Sequence, residues 1–318
     1  TLPMIQPPSQ LPFDDIRALV HELPDVDDKA AGRFAAQNGP AADRTTETGR
    51  WMAGWQANAK PTVRRPVVVL FAASHSVTAA LDQEMQVSQV AQLVADVQAR
   101  SGRVARACER AELGLKVFEL ALELPVEDFS RTATMQETDC AATIAYGMEA
   151  TADGCDLLVV RGMAAGGQAS TTAMTAALLG KETSINEFRN PAEIEFVDRA
   201  LATHKSHLQS PLELLRRLGG RESAAVAGAI VAARLQRVPV ILDGSQAVCV
   251  ALVLQGLRPG IAEHCMVSCQ DFHLDSARLC KALGRPLLLS GRYAEHDGTS
   301  GALAASLVKD VMTVVTED

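Results

Sequence analysis

The sequence predicts an α/β fold: a doubly wound, mostly parallel sheet with helices on both faces, plus a small helical lobe from both termini. Three observations predict it. Short apolar, β-branched runs such as "PVVVLFAA" (66–73), "LLVV" (157–160) and "VPVIL" (238–242) read as strands buried on both faces. Helical stretches separate these runs throughout, which is the rhythm of βαβ units. The chain has 318 residues, 47% hydrophobic and 21% charged, enough to bury a sizeable aliphatic core.

Taken in order, "PFDDIRALVHELP" (12–24) is a short helix, with Asp14 and Asp15 in its first turn and Pro24 as its stop. Residues 25–37 form a second helix, 38–49 read as a loop, and "RWMAGWQANA" (50–59) opens a third helix. A strand at 66–73 is followed by one long helix over about 82–109. Next come a strand at 113–122, a helix at 136–150, a strand at 156–161 and a helix at 170–179. Polar helices span 191–217, and "ESAAVAGAIVAARLQR" (222–237) is a further helix. Strand 238–242, helix 246–256, strand 265–268, helix 273–283, strand "PLLLS" (286–290) and helix 300–315 complete the reading. The sheet domain is placed at 65–290, and the helical lobe at 1–64 with 291–318.

Composition narrows the function. A formal net charge of −8, with no cluster of Lys and Arg interleaved with aromatics, argues against a nucleic-acid partner. The seven cysteines lack framework spacing, no signal-peptide pattern opens the chain, and no apolar run reaches about 18 residues. These features point to a cytoplasmic protein with no membrane association.

In open α/β sheets, ligands bind beyond the carboxyl ends of the strands, and four such ends carry polar groups here. "ASHS" supplies His75, which could contact a ligand or be satisfied by backbone. "RGMAAGGQASTT" (161–172) has the order strand, Gly turn, helix start that cradles phosphates, so Gly166, Gly167, Gln168, Ser170, Thr171 and Thr172 are candidate ligand contacts. Asp243, followed by Gly244, reads as a cation- or ribose-binding acid, or as a turn with an Asp cap. "HCMVSCQDFH" brings Cys265, Cys269 and His273 into view, but their spacing does not match a zinc site, and no metal is expected. Glu295, His296 and Asp297 put three titratable groups just before a Gly-Thr-Ser-Gly turn, the composition of a general-base site or of an exposed loop.

"LPFDDIRALVHELPDVD", "LGLKVFELALELP", "DCAATIAYGMEA", the long segment 210–244 and "GTSGALAASLVKD" together resemble nicotinate-nucleotide–dimethylbenzimidazole phosphoribosyltransferases. The resemblance runs in order along nearly the whole chain. It implies a parallel-sheet domain with a helical lobe, a homodimer (or a heterodimer with another family member), and a role in making the lower ligand of cobamides. The implied substrates are nicotinate mononucleotide and a small aromatic base, with no cofactor. A carboxylate takes the azole proton, and backbone N–H groups hold the phosphate.

The signature loops depart from the family pattern. Where the family has Gly-Glu-Met-Gly-Ile-Gly-Asn-Thr-Thr, this chain has Arg161-Gly162-Met163-Ala164-Ala165-Gly166 and four more residues before Thr171-Thr172. The family's Gly-Asn-His-Gly-Val becomes "ASHSV", keeping His75, and a Gly-rich loop expected after the next helix is absent. For the base, anchoring on Arg292 makes Glu295 the match, while anchoring on "GTSGALAA" makes Asp297 the match. Gly298 and Thr299 follow as substrate contacts. Such a chain suits an active enzyme of altered specificity, a non-catalytic ligand-binding or partner subunit, or a binder of an unrelated anion at "GGQASTT".

Overall fold

The computed structural model describes residues 12–39, 43–79, 81, 85–181, 190–293 and 297–316. Five strands, β1 (Pro66–Ser74), β2 (Gly114–Glu119), β3 (Leu157–Ala165), β4 (Val240–Leu242) and β5 (Cys265–Val267), form one parallel sheet in the order β2-β1-β3-β4-β5. β1 and β3 are its longest pair, in register from Pro66 opposite Leu157 to Ser74 opposite Ala165.

The period-2 geometry of a strand sends successive side chains to opposite faces, and two cores result. Val69, Phe71, Leu158, Val160 and Leu242 face one core. It is closed by α6 (Glu137–Gly147), α7 (Gly167–Leu179), α9 (Pro211–Leu218), α10 (Arg221–Leu235) and α11 (Ser245–Gln255), with α1 (Pro12–His21), α8 (Pro191–His204) and α12 (Ser276–Leu283) outside them. Val68, Leu70, Leu157, Val159 and Ile241 face the other core. That side is covered by α3 (Arg44–Trp55), α4 (Val87–Gln98), α5 (Gly102–Ala111) and α13 (Thr299–Thr316), while α2 (Asp28–Asn38) packs on α3. The sheet is therefore doubly wound, as expected. α13 lies directly on β3, β4 and β1, far along the chain from the strands it covers.

α10 is buried on every side from Glu222 to Arg234, the pattern of a helix at the centre of a layer. It crosses α6 backbone to backbone. A Cβ at Gly147 would lie 2.0 Å from the Ala225 carbonyl oxygen, and one at Gly228 would lie 1.9 Å from that of Ile144.

Four elements differ from the sequence reading. The long helix expected over 82–109 is two helices, broken where Arg100 and Gly102 adopt left-handed φ values of +52° and +79°. The expected loop at 38–49 gives way to α3 from Arg44, because the Asp43 carboxylate accepts from the Thr46 N–H at 2.8 Å and caps the helix. The expected strand 286–290 is not a full strand: it forms one bridge, Leu287 to Val267, with three backbone hydrogen bonds between 286–289 and Val267–Ser268 at the sheet's edge. β3 runs on to Ala165, so most of "RGMAA" is strand and the turn shrinks to Gly166.

Candidate functional site

The strand order 2-1-3-4-5 reverses direction between β1 and β3, and the crevice at such a switch point is where doubly wound sheets bind ligands. A cleft opens beside it, beyond the carboxyl ends of β3, β4 and β5. Arg161, Gly162 and Met163 form its floor, Gly167, Gln168 and Thr171 one wall, and Asp243 to Gln246 the other. Glu222 closes its depth, and Asp271, Phe272 and His273 stand at its mouth. Its cavity volume is about 150 Å³, and it opens to solvent at its mouth.

Asp243 is the hub beneath the cleft. Its Oδ1 accepts from the hydroxyls of Ser268 and Ser300, both at 2.6 Å, and its Oδ2 accepts from Arg161 Nη1 at 3.1 Å. Ser300 belongs to the first turn of α13, so Asp243 ties the C-terminal segment to the sheet. Gly301 makes that approach possible, since a Cβ there would lie 2.4 Å from Val159 Cγ1 and 3.0 Å from Asp243 Cβ. Arg161 is 5% exposed. Burial works against its charge, but the carboxylates of Asp243 and Asp271 outweigh burial and raise its pKa, so it stays a cation.

Asp271 is also saturated. It accepts from the Ser245 N–H at 2.7 Å, the Ser245 hydroxyl at 2.5 Å and the His273 N–H at 3.1 Å. Burial pushes its pKa up, yet His273 and these donors leave it lower than usual. His75, at the end of β1, is fully buried, and its Nε2–H donates to Glu222 Oε1 at 3.1 Å.

α7 begins at the cleft. Its N-cap is Gly166, left-handed at φ +76°, which has no side chain with which to cap the helix. Gly167, Gln168 and Thr171 at this end of α7 line the cleft, where the positive end of the helix dipole lies.

The residues expected from sequence divide as follows. Gly167, Gln168, Thr171 and Asp243 line the cleft, and Gly166 turns the chain into it. His75 sits behind the wall, in contact with Glu222. The Ser170 hydroxyl points away, donating to the Leu218 carbonyl at 2.6 Å. Thr172 donates to Glu193 at 2.9 Å and lies 3.3 Å from His273 Nε2.

Asp297, 6% exposed, lies on the far side of Met163, in a recess shared with Met85 and Arg103. It accepts from the Thr299 N–H at 3.0 Å and lies 3.6 Å from Arg103 Nε. Gly298 turns at φ +90° against Leu70. Glu295 lies outside the described residues. Cys265, Cys269 and His273 make separate contacts, and among the described residues no cluster of His, Cys, Asp and Glu could hold a metal ion.

Sequence reasoning missed Glu222, Gln246 and Asp271 and assigned no role to Arg161. Two signals were present: a lone arginine inside an apolar strand, and an acid placed directly after Gly219-Gly220 and Arg221 at a helix start.

Residues 26–317 match the phosphoribosyltransferase family model. Nicotinate-nucleotide–dimethylbenzimidazole phosphoribosyltransferases of a Sinorhizobium species and of Rhizobium etli are each 40% identical to the chain. The alignments span 319 and 320 residues, covering 95% of this chain and 93% of each relative. The crystal structure of the Thermus thermophilus protein of that name shares the fold, with a TM-score of 0.78 at 23% identity over 98% of this chain and 97% of that one. The cleft beside the switch point, the glycine-led start of α7 and the carboxylate hub are thus set in a chain that belongs to the nicotinate-nucleotide–dimethylbenzimidazole phosphoribosyltransferase family.

Proposed function

We propose that this protein transfers the phosphoribosyl group of nicotinate mononucleotide to a ring nitrogen of a small aromatic base, as in making a cobamide lower ligand. One observation carries the reading within this family: the N-terminus of α7, entered through a glycine, meets a cleft floored by a buried, paired arginine. The positive end of the α7 dipole favours a phosphate there. Gly166, Gly167, Gln168 and Thr171 surround the phosphate in this reading, with Asp243 beneath the ribose.

In the reaction, the unprotonated azole nitrogen attacks the ribose C1′. The bond from C1′ to the pyridinium nitrogen breaks, its electron pair neutralises the pyridinium, and nicotinate leaves. The product azolium then sheds its N–H proton to a carboxylate. Because the leaving group starts as a cation, no strong acid is required. Asp297 or Glu295 takes the proton. Asp297 suits the role because the Thr299 N–H fixes its carboxylate where two recesses meet, one lined by Met85 and Leu93 and the other by Met163 and Val104.

The reading extends to assembly and setting. Leu303, Leu307 and Val314 are exposed on α13 and offer a face for self-association as a homodimer. No helix among the described residues is long and apolar enough to cross a membrane. All seven cysteines are free thiols, which suits a reducing cytoplasm.

The test is direct. Incubated with nicotinate mononucleotide and dimethylbenzimidazole, the protein is expected to release nicotinate and form ribazole phosphate, both detected by mass spectrometry. Asp297→Asn or Glu295→Gln should lower the rate about 10²- to 10⁴-fold, the usual worth of a positioned base. A folded protein that yields no product at high concentration would overturn the reading.

A further inference from the structure

Glu222 differs from the other carboxylates of the cleft. Both oxygens of Asp243 and both of Asp271 are occupied by protein donors. In Glu222, both side-chain donors arrive at one oxygen. The Gly162 N–H donates to Gln246 Oε1 at 3.2 Å, which turns the Gln246 amide nitrogen toward the Ser223 hydroxyl at 2.9 Å. That hydroxyl in turn donates to Glu222 Oε1 at 3.1 Å, and His75 Nε2 reaches the same atom at 3.1 Å.

Glu222 Oε2 is buried and has no hydrogen-bond partner among the described residues. The residue is 1% exposed, and space beside Oε2 exists only because residue 220 is glycine: a Cβ there would lie 2.3 Å from that oxygen. Arg161 Nε, on the same cleft, is likewise buried without a partner among them. Buried polar atoms are nearly always paired. The depth of the cleft therefore presents one unmet acceptor and one unmet donor, a combination that a hydroxyl-bearing ligand satisfies.

At neutral pH, the phosphate dianion and the nicotinate group of the nucleotide carry no hydrogen-bond donor, whereas its ribose carries two hydroxyls. The azole N–H is the other donor in the reaction, but it requires a group that accepts its proton. Burial tends to raise the Glu222 pKa, and the charge and hydrogen bond of His75 more than reverse that. A carboxylate held ionised in this way is a good hydrogen-bond acceptor and a poor base.

Resting on the phosphoribosyl-transfer reading above, we infer that Glu222 Oε2 accepts a hydrogen bond from a ribose hydroxyl of the nucleotide, so that the cleft selects a ribonucleotide over its deoxy forms. His75, Ser223 and Gln246 are positioning residues that leave Oε2 facing the sugar. As positive charge grows at C1′ during nicotinate departure, a hydroxyl bonded to an ionised carboxylate stabilises it further, as hydrogen bonds to a sugar hydroxyl do in glycosyl transfer.

The test compares nicotinate mononucleotide with its 2′-deoxy and 3′-deoxy analogues by calorimetric affinity and by turnover. One analogue is expected to bind the native protein about 10- to 100-fold more weakly, as for a lost hydrogen bond to a charged group. In Glu222→Gln, which keeps the shape and a partner for His75, that discrimination should shrink severalfold. In Glu222→Ala it should vanish.

Equal affinity of all three nucleotides for the native protein overturns the inference whatever the variants do. Discrimination that survives undiminished in a folded Glu222 variant also overturns it. Discrimination without product supports the sugar subsite while the transfer reading falls; product without discrimination does the reverse. Failure of the native protein to bind any of the nucleotides overturns both.

Discussion

His264 shows how far a single side chain can set the solution behaviour of this fold. It is fully buried beside Trp55, and its Nε2–H donates to the Ile230 carbonyl at 3.0 Å. Burial first, and the nearby Arg234 cation second, push its pKa down to about 3. Well above pH 6.5 the ring is neutral in folded and unfolded chains alike and adds no pH dependence. Below about 6.5 the unfolded chain binds a proton that the folded chain refuses until about pH 3, so stability falls as pH falls. The limiting slope is about 1.4 kcal/mol per pH unit for one such group. His204, whose pKa burial also lowers, acts in the same direction. Glu213 acts lower down: burial raises its pKa, but hydrogen bonds from Arg216 and Arg217 bring it to about 2, so its contribution is lost below the ordinary carboxylate range. Urea unfolding between pH 6.5 and 5 isolates the histidines. His264→Gln, whose amide can still donate to Ile230, should flatten that slope by up to one proton's worth.

Among the elements, the crossing of α6 and α10 is the least forgiving. With Ile144 and Ala225 carbonyls where a methyl would sit, Gly228→Ala forces the helices apart. It should cost about 3 kcal/mol, the upper end of overpacking penalties. Gly32, inside α2 with nothing within 4 Å of a built Cβ, is the contrasting case. Gly32→Ala there should stabilise by about 0.5–1 kcal/mol, and denaturant midpoints of the two variants test both statements. The elements also show what could be read from sequence. β1, β3 and β4 were legible because a strand buried on both faces needs an unbroken β-branched run, and α10 because it is long and apolar. The break at 100–102 was missed although Ser101-Gly102 is a turn signal, because the apolar pattern on either side runs on through it. Residues 286–289 do bond along the free edge of β5, but β5 is only three residues long, so the pairing there stays a single bridge. In the cleft, Asp243 and the glycines before α7 were visible through turn chemistry. Glu222 and Gln246 were not, because their roles arise from a hydrogen-bond chain joining residues 162, 246, 223 and 222, which no local pattern encodes.

On the scale of the whole molecule, the N-terminal helices are held to the sheet domain by a buried cation. Arg234, 1% exposed, stacks 4.7 Å over Trp55 and donates to the carbonyls of Pro24 and Gly260 at 3.0 and 2.5 Å. Arg258 reaches the Leu23 carbonyl at 2.6 Å and Asp25 at 2.7 Å. Arg234→Met keeps most of the volume but drops the donors. Amide hydrogen exchange should then accelerate in α1 and α2 while β1 and β3 stay protected; uniform acceleration would mean the clamp holds the entire fold. The placement of α13 carries a different consequence. Leu70, Val159 and Ile241 lie beneath a helix that begins at residue 299, more than 50 positions downstream of β4. During synthesis at roughly 5–20 residues per second, that apolar face stays open for seconds after the central strands have left the ribosome. Parallel sheets pair slowly and aggregate while exposed. The nascent chain therefore passes through a window of seconds in which that part of the sheet is open to association before α13 closes it.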